Sequence, residues 1–347
     1  MSIDNRKTFI NFLRGLAVFF MLWGHSIQYM SSGQFDYYEN IMFKLIYSFH
    51  MPFFMLLSGY LFWYSEQKRG MIELIEYKSK ALLYPIFMCS VVNFFLTDGI
   101  VAILKGKFVT IFGGIDITSL WFLWSVLACS ISLAIAMKIT KRRFFNALFL
   151  LIGVFFIAVL PNWDLNIYMY PYFIIGYLYS RNESMFVRTK NVVGGISILG
   201  FLIMIFLYSK KHYIYISGIL GGETLLQSIQ IDLFRWIIGV FGSIAVMWIC
   251  SLLYGLIKNS KSASIIEKLG QDSLAVYALS MSILNYWLPK FTRMIMRVCG
   301  DINWNRSIWV YNLIVTPFVA ITYSFLLLII VKGLKKANAY RLILGRK

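Results

Sequence analysis

From Phe9 to Met30 the chain runs almost without charge for the length of a bilayer core, and further apolar stretches follow it along the sequence. About 20 apolar residues in a helix rising 1.5 Å per residue span a hydrocarbon layer of ~30 Å and satisfy their own backbone hydrogen bonds within it. The recurrence predicts an all-α, polytopic transmembrane bundle of about ten spans, near 8–30, 40–64, 81–104, 119–138, 145–161, 165–180, 191–209, 231–257, 272–289 and 307–331. The fifth and sixth spans are short and meet at Pro161-Asn162-Trp163-Asp164, which reads as a tight helical-hairpin turn. Composition supports this class: 59% of residues are hydrophobic, 14% are charged, and mean hydropathy is +0.71. A soluble domain cannot hide that much apolar surface. With no long polar stretch and no internal repeat, residues 1–347 are expected to form a single membrane domain with no appended soluble domain.

The formal net charge of +18 does not point to nucleic acid, because the basic residues sit between spans and form no nucleic-acid motif. With the N-terminus inside, the inner segments carry 22 Lys and Arg and the outer segments 8. That asymmetry predicts both termini in the cytoplasm. Cys89, Cys129, Cys250 and Cys299 show no metal-ligand spacing, so neither a structural metal nor a disulfide is expected.

The first span nevertheless contains Arg14 and His25. Eleven residues apart on a helix, they are separated by ~16 Å of rise and only ~20° of rotation, so they share a face. Ionisable groups inside a span are costly, about 2.5–3.5 kcal/mol for a central arginine, and usually face a cavity or a partner. Snorkelling to the cytoplasmic interface accounts for Arg14 alone and satisfied packing for His25 alone; the shared face favours function. In the second span, Pro52 removes a backbone donor two residues after His50, which predicts a kinked or opened helix and a reason for a buried histidine. Ser58-Gly59 is a small pair that lets helices approach closely. Lys78 and Lys80 stand at the cytoplasmic start of the third span, suited to topology, lipid phosphate or an anionic cofactor. Trp121 opens the fourth span as an interfacial aromatic. Asp232 and Arg235, three residues apart, are placed to form a structural ion pair. Glu223 and Asp232 flank the end of the longest outer loop and are candidate contacts for a polar substrate.

Together these segments resemble the membrane acyltransferase-3 family, integral-membrane O-acyltransferases that modify cell-surface carbohydrates. The resemblance rests on Leu13-Arg14-Gly15, ten residues between Arg14 and His25, Gly24-His25-Ser26, and Phe49-His50-Met51-Pro52-Phe53-Phe54 followed by Ser58-Gly59-Tyr60. Trp121-Phe122-Leu123 and Leu269-Gly270-Gln271-Asp272-Ser273-Leu274 with Tyr277 are weaker matches in the expected order. Among short members, the polysaccharide and fucose O-acetylases are the most similar. Two positions depart from the pattern. Lysines at 78 and 80 and Ala81 stand where an arginine pair is usual, and Ser280 replaces a late histidine.

The resemblance implies an acyl-coenzyme A donor, most often acetyl, with no permanently bound cofactor. It implies a cell-surface glycan or lipid-linked sugar acceptor, and a multi-pass protein of a bacterial cytoplasmic membrane, with membrane lipids as its other partners. On this reading Arg14, Lys78 and Lys80 hold the donor, and His25 acts as general base or as an acyl carrier. His50 assists, Pro52, Ser58, Gly59 and Trp121 shape the pocket, and Glu223 and Asp232 meet the acceptor. Two other classes stay open: an exporter of lipid-linked sugar, since broken helices and buried charges also suit transporters, and a non-catalytic partner in surface-polymer assembly.

Overall fold

The computed structural model describes residues 3–95, 120–139, 153, 157, 163–282, 287–299 and 303–345. Among these residues every regular element is helical. The principal helices are α1 (Ile3–Met30), α2 (Ile41–Glu66), α3 (Met71–Phe94), α4 (Trp121–Ile139), α5 (Trp163–Arg181) and α6 (Glu183–Leu207). They are followed by α7 (Leu225–Ile257), α8 (Lys261–Gln271), α9 (Ser273–Ser282), α10 (Leu288–Cys299), α11 (Thr316–Lys336) and α12 (Ala339–Leu344).

Six stretches among the described residues are long and apolar enough to cross a membrane: Asn5–Met30, Ile41–Glu66, Trp121–Lys138, Arg188–Leu207, Leu225–Ile257 and Ile308–Lys336. They coincide with six of the ten predicted spans. The third and ninth predicted spans run into residues outside the described set, and nearly all of the fifth lies outside it, as do Pro161 and Asn162 of the predicted turn. The sixth corresponds to α5, whose tyrosines lower its hydropathy while Tyr168, Tyr170, Tyr172 and Tyr177 are buried against protein. Helix α3 starts at Met71, well before the predicted 81, because its first turns carry Glu73, Glu76, Lys78 and Lys80. Hydropathy marks where a bilayer ends, and this helix continues past that point.

The helices form two compact units, with the divisions falling inside α2 and α3. The first comprises Met1–Ile46, Leu83–Leu120 and Asn259–Lys347. Here α1 and α8 touch backbone to backbone: a Cβ added to Gly15 would fall 1.9 Å from Ile266 O, and one on Gly270 1.8 Å from Asn11 O. Only glycine at both positions permits this crossing. Helix α11 is keyed to α1 by Trp23 Nε1 donating to Thr316 Oγ1 (2.9 Å). Just before α11, a π-helical turn, Tyr311–Val315, brings Tyr311 Oη to Ile27 O at 2.6 Å. A buried Asn40 Nδ2 donates to Asn312 Oδ1 (2.8 Å), while Asn40 Oδ1 accepts the first amides of α2 from Met42 and Phe43.

The second unit comprises Tyr47–Leu82 and Trp121–Lys258. Helices α2 and α5 repeat the glycine device, with Gly59 facing Phe173 O and Gly176 facing Leu56 O, each at 1.9 Å from a built Cβ. Gly59 therefore serves helix packing, while Ser58 Oγ donates to Phe54 O one turn earlier in α2. Helix α2 continues through Pro52 without interruption. The ring packs where α7 carries Gly239, whose added Cβ would lie 2.9 Å from Pro52 Cγ and 2.4 Å from Tyr172 Oη. Helices α6, α7 and α11 leave most of their apolar windows uncovered, only 17%, 33% and 28% being buried. That is the surface lipid tails would cover.

Candidate active site

Helix α1 is one unbroken helix from Ile3 to Met30, so the shared face of Arg14 and His25 and their ~16 Å separation stand. Near one end, Arg14 Nη2 donates to Ser273 Oγ at 2.6 Å, at the first residue of α9. The Gly15–Gly270 crossing brings these chains close enough for that bond, which gives the Leu269–Tyr277 segment a structural meaning. Asp272 in the same segment binds Lys335 Nζ (2.6 and 2.8 Å) and accepts from Tyr340 Oη (3.2 Å). Ser280, at the position of the altered late histidine, is fully buried and donates to Tyr277 O at 2.8 Å. It fills a packed site with a satisfied hydroxyl and has no basic nitrogen to offer.

At the other end of α1, His25 is half-buried and stacks on Tyr29 one turn later, centroids 5.7 Å apart at 11°. Its Nδ1 lies 3.3 Å from Gln28 Oε1, and Gln28 Nε2 donates to Tyr37 Oη at 3.4 Å. With the Gln28 amide used in that sense, the atom facing the imidazole is a carbonyl oxygen, which only accepts. Nδ1 then carries the hydrogen, and Nε2 keeps its lone pair. An acceptor that fixes the tautomer is the arrangement a histidine base needs. Sequence reasoning missed Gln28 and Tyr29. Their positions three and four residues after His25, on one helix face, were the available signal.

The remaining candidates belong to the second unit. His50 is buried, and its ring meets that of Tyr47 edge-on, centroids 4.7 Å apart. Lys78 and Lys80 are not brought together: Lys78 Nζ lies over the Phe62 ring at 5.4 Å, and Lys80 pairs with Glu76 at 2.5 Å on an exposed face. An exposed pair of that kind contributes little to stability. Trp121 meets the Tyr215 ring edge-on at 5.8 Å. A cavity of about 390 Å³ at the ends of α2 and α4 gathers Glu66, Arg69 and Lys138. Both basic residues belong to the inner-segment charges that predict orientation.

Asp232 and Arg235 form the expected ion pair, buried, at 2.6 Å. The guanidinium does much more. Its Nε donates to His212 O (3.0 Å), Nη1 to Gly218 O (2.7 Å) and Asp232 Oδ1, and Nη2 to Lys211 O (2.9 Å) and Ser217 Oγ. All five N–H donors of the arginine are used. Asp232 Oδ2 accepts from Leu220 N (2.9 Å), so this carboxylate is committed to holding the loop before α7. Glu223, by contrast, is exposed and lines a cavity beside that loop.

The profile of the acyltransferase 3 family, described as an acyltransferase domain, matches residues 7–332. The nodulation protein NolL of Sinorhizobium fredii (strain NBRC 101917 / NGR234) is 28% identical over 191 residues, covering 51% of this chain and 50% of that protein. The nodulation protein NolL of Mesorhizobium japonicum (strain LMG 29417 / CECT 9101 / MAFF 303099) is 23% identical over 304 residues, covering 81% of this chain and 77% of that protein. The match thus spans only half the length of the first of these relatives. No solved structure gives a significant match. With a family profile covering nearly the whole chain, and apolar helices of membrane-spanning length, the protein belongs to the acyltransferase-3 family of integral-membrane acyltransferases.

Proposed function

We propose that this protein is an O-acyltransferase of a bacterial cytoplasmic membrane. It moves an acyl group, most simply acetyl, from cytoplasmic acyl-coenzyme A to a hydroxyl of an extracytoplasmic carbohydrate. The observation that carries the reading is on α1: a histidine whose Nδ1 faces Gln28, ~16 Å along one helix face from a half-buried arginine. With the termini inside, Arg14 lies toward the cytoplasm, where its guanidinium suits the anionic end of the donor. Lys78 and Lys80 are proposed as further contacts to donor phosphate, acting as point charges. His50 is proposed to donate toward the oxyanion, and Pro52 and Trp121 to shape the pocket.

In the reaction, the sugar hydroxyl attacks the thioester carbonyl carbon while His25 Nε2 takes the hydroxyl proton. The C–S bond breaks as the tetrahedral intermediate collapses. The coenzyme A thiolate leaves and recovers that proton from the imidazolium, so charge and atoms balance. General-base assistance of this kind contributes about 10²–10⁴-fold.

The test is reconstitution of the full chain in liposomes, with acetyl-coenzyme A on one face and bacterial surface glycans on the other. Free coenzyme A should accumulate only when both are present. Absence of release with every acceptor, at confirmed donor binding, would contradict the reading.

A second expectation concerns Gln28, a positioning residue. Gln28→Ala should lower kcat about tenfold at unchanged KM for acetyl-coenzyme A, because Nδ1 loses the acceptor that holds the tautomer. Gln28→Glu keeps an acceptor at that place and should recover most of the rate. Equal losses in both variants would show that Gln28 only packs.

A further inference from the structure

The loop that Arg235 pins to α7 encloses something the α1 chemistry does not use. Between Lys211 and Phe234 lies an open cavity of about 600 Å³, within the size range of small-molecule sites. Its lining is ordered by the helix. Gln227, Gln230 and Phe234, at spacings of three and four, form one stripe along a single face of α7, and Glu223, just before the helix, lines the cavity beside them. Thr224 caps this end of α7 by accepting from Gln227 N at 3.2 Å, which fixes where the stripe begins. Opposite it, Lys211 and His212 come from a 3-10 turn, Lys210–His212.

The floor is rigid. The His212 ring stacks on Phe234, centroids 4.2 Å apart at 28°, and His212 Nδ1 accepts from Ser209 N–H at 2.9 Å. A nitrogen that accepts a backbone N–H carries no hydrogen, so the His212 proton is on Nε2, a donor on a ring that lines the cavity. Burial, then Lys211 and Arg235, hold the His212 pKa down at about 4, so the ring is neutral at neutral pH. Ser228 closes the loop behind it: its hydroxyl lies 3.0 Å from both Leu220 O and Thr224 O, sharing its one hydrogen between them, and accepts from Gly222 N (3.0 Å).

We infer that this cavity binds a sugar unit of the acceptor, through Gln227, Gln230, Glu223 and His212 on its hydroxyls and Phe234 against its ring face. The chemistry selects that class. Two primary amides and a carboxylate supply both donors and acceptors, which vicinal hydroxyls match on both counts. A half-exposed aromatic ring offers apolar contact to the C–H face of a pyranose. A phosphate or other anion would gain Lys211 but meet the Glu223 carboxylate, so a neutral polyhydroxyl ligand fits better than a lipid headgroup. The assignment rests on the proposed carbohydrate acceptor and on this loop facing outward, and it places recognition on residues that nothing else in the mechanism employs.

The experiment is saturation-transfer NMR on the full chain in nanodiscs without any acyl-coenzyme A. The probes are the methyl glycosides of a hexose, a 6-deoxyhexose and an N-acetylhexosamine. At least one glycoside should receive saturation at its ring protons, and a Gln227→Ala, Gln230→Ala double variant should weaken that binding about tenfold. Both glutamines are exposed on α7, so the variant keeps its fold, confirmed by an unchanged melting temperature. Saturation of sn-glycerol 3-phosphate equal to that of every glycoside would overturn the proposal in favour of a headgroup site. Undiminished glycoside binding by the double variant, or no binding to any glycoside, would overturn it as well. Because no donor is present, these results are independent of catalysis. Transfer with an unchanged acceptor KM in the double variant would remove the site and leave the acyltransferase intact, whereas glycoside binding without transfer would do the reverse.

Discussion

Arg235→Leu is expected to destabilise the protein by about 3–5 kcal/mol, the cost of breaking a buried charge pair from one side. The loss is large because of what is left behind. Asp232 would remain as a buried carboxylate still held by Leu220 N but without its counter-charge. The carbonyls of Lys211, His212 and Gly218 would each lose a charged donor. Loop residues 208–224 would detach before the bundle melts, so trypsin should cut after Lys210 and Lys211 in the variant and not in the wild type. A double variant, Arg235→Leu with Asp232→Leu, removes the stranded charge and should regain part of the stability. The unsatisfied carbonyls set the remaining deficit. Wild-type melting and protease resistance in Arg235→Leu would show that the loop is held by other means.

This arginine also shows where sequence reading reached and where it stopped. Spacing of three residues in an apolar run was enough to foresee the pair with Asp232. The loop carbonyls that take the other donors lie 17 to 24 residues away in sequence, and no periodicity reports them. The same contrast runs through α1. The face shared by Arg14 and His25 follows from helical geometry alone and is present in the folded chain. Ser273, the partner of Arg14, lies 259 residues away and becomes visible only once Gly15 and Gly270 bring α1 and α8 into backbone contact.

Six of the ten predicted spans coincide with apolar helices among the described residues, and two further helices differ from their apolar windows for different physical reasons. Helix α5 is buried by tyrosines whose hydroxyls depress hydropathy, and α3 extends its polar first turns beyond any apolar window. Pro52 suggested a kinked or opened helix. The helix is not opened: α2 runs on unbroken, with the proline ring seated beside Gly239 and Tyr172. A proline announces a missing hydrogen bond; how the neighbouring helices absorb it depends on residues nearly 190 positions away, which local sequence does not encode.

The largest effect on activity is expected at His25. Its Nδ1 lies 3.3 Å from Gln28 Oε1, and in the tautomer that gives Nδ1 the hydrogen it is Nε2 that takes the proton. His25→Gln preserves size and polarity and can still hydrogen-bond, but an amide does not accept a proton at neutral pH. Helix insertion, abundance and the Arg14–Ser273 contact lie outside the change, so acetyl-coenzyme A binding should be retained. The decisive measurement is acceptor-dependent release of coenzyme A by wild type and His25→Gln, reconstituted at equal density in liposomes. A His25 base predicts a fall of about 10²-fold or more in the variant at unchanged donor affinity. A rate within a few-fold of wild type would show that the proton is taken elsewhere, and His50 would become the residue to test.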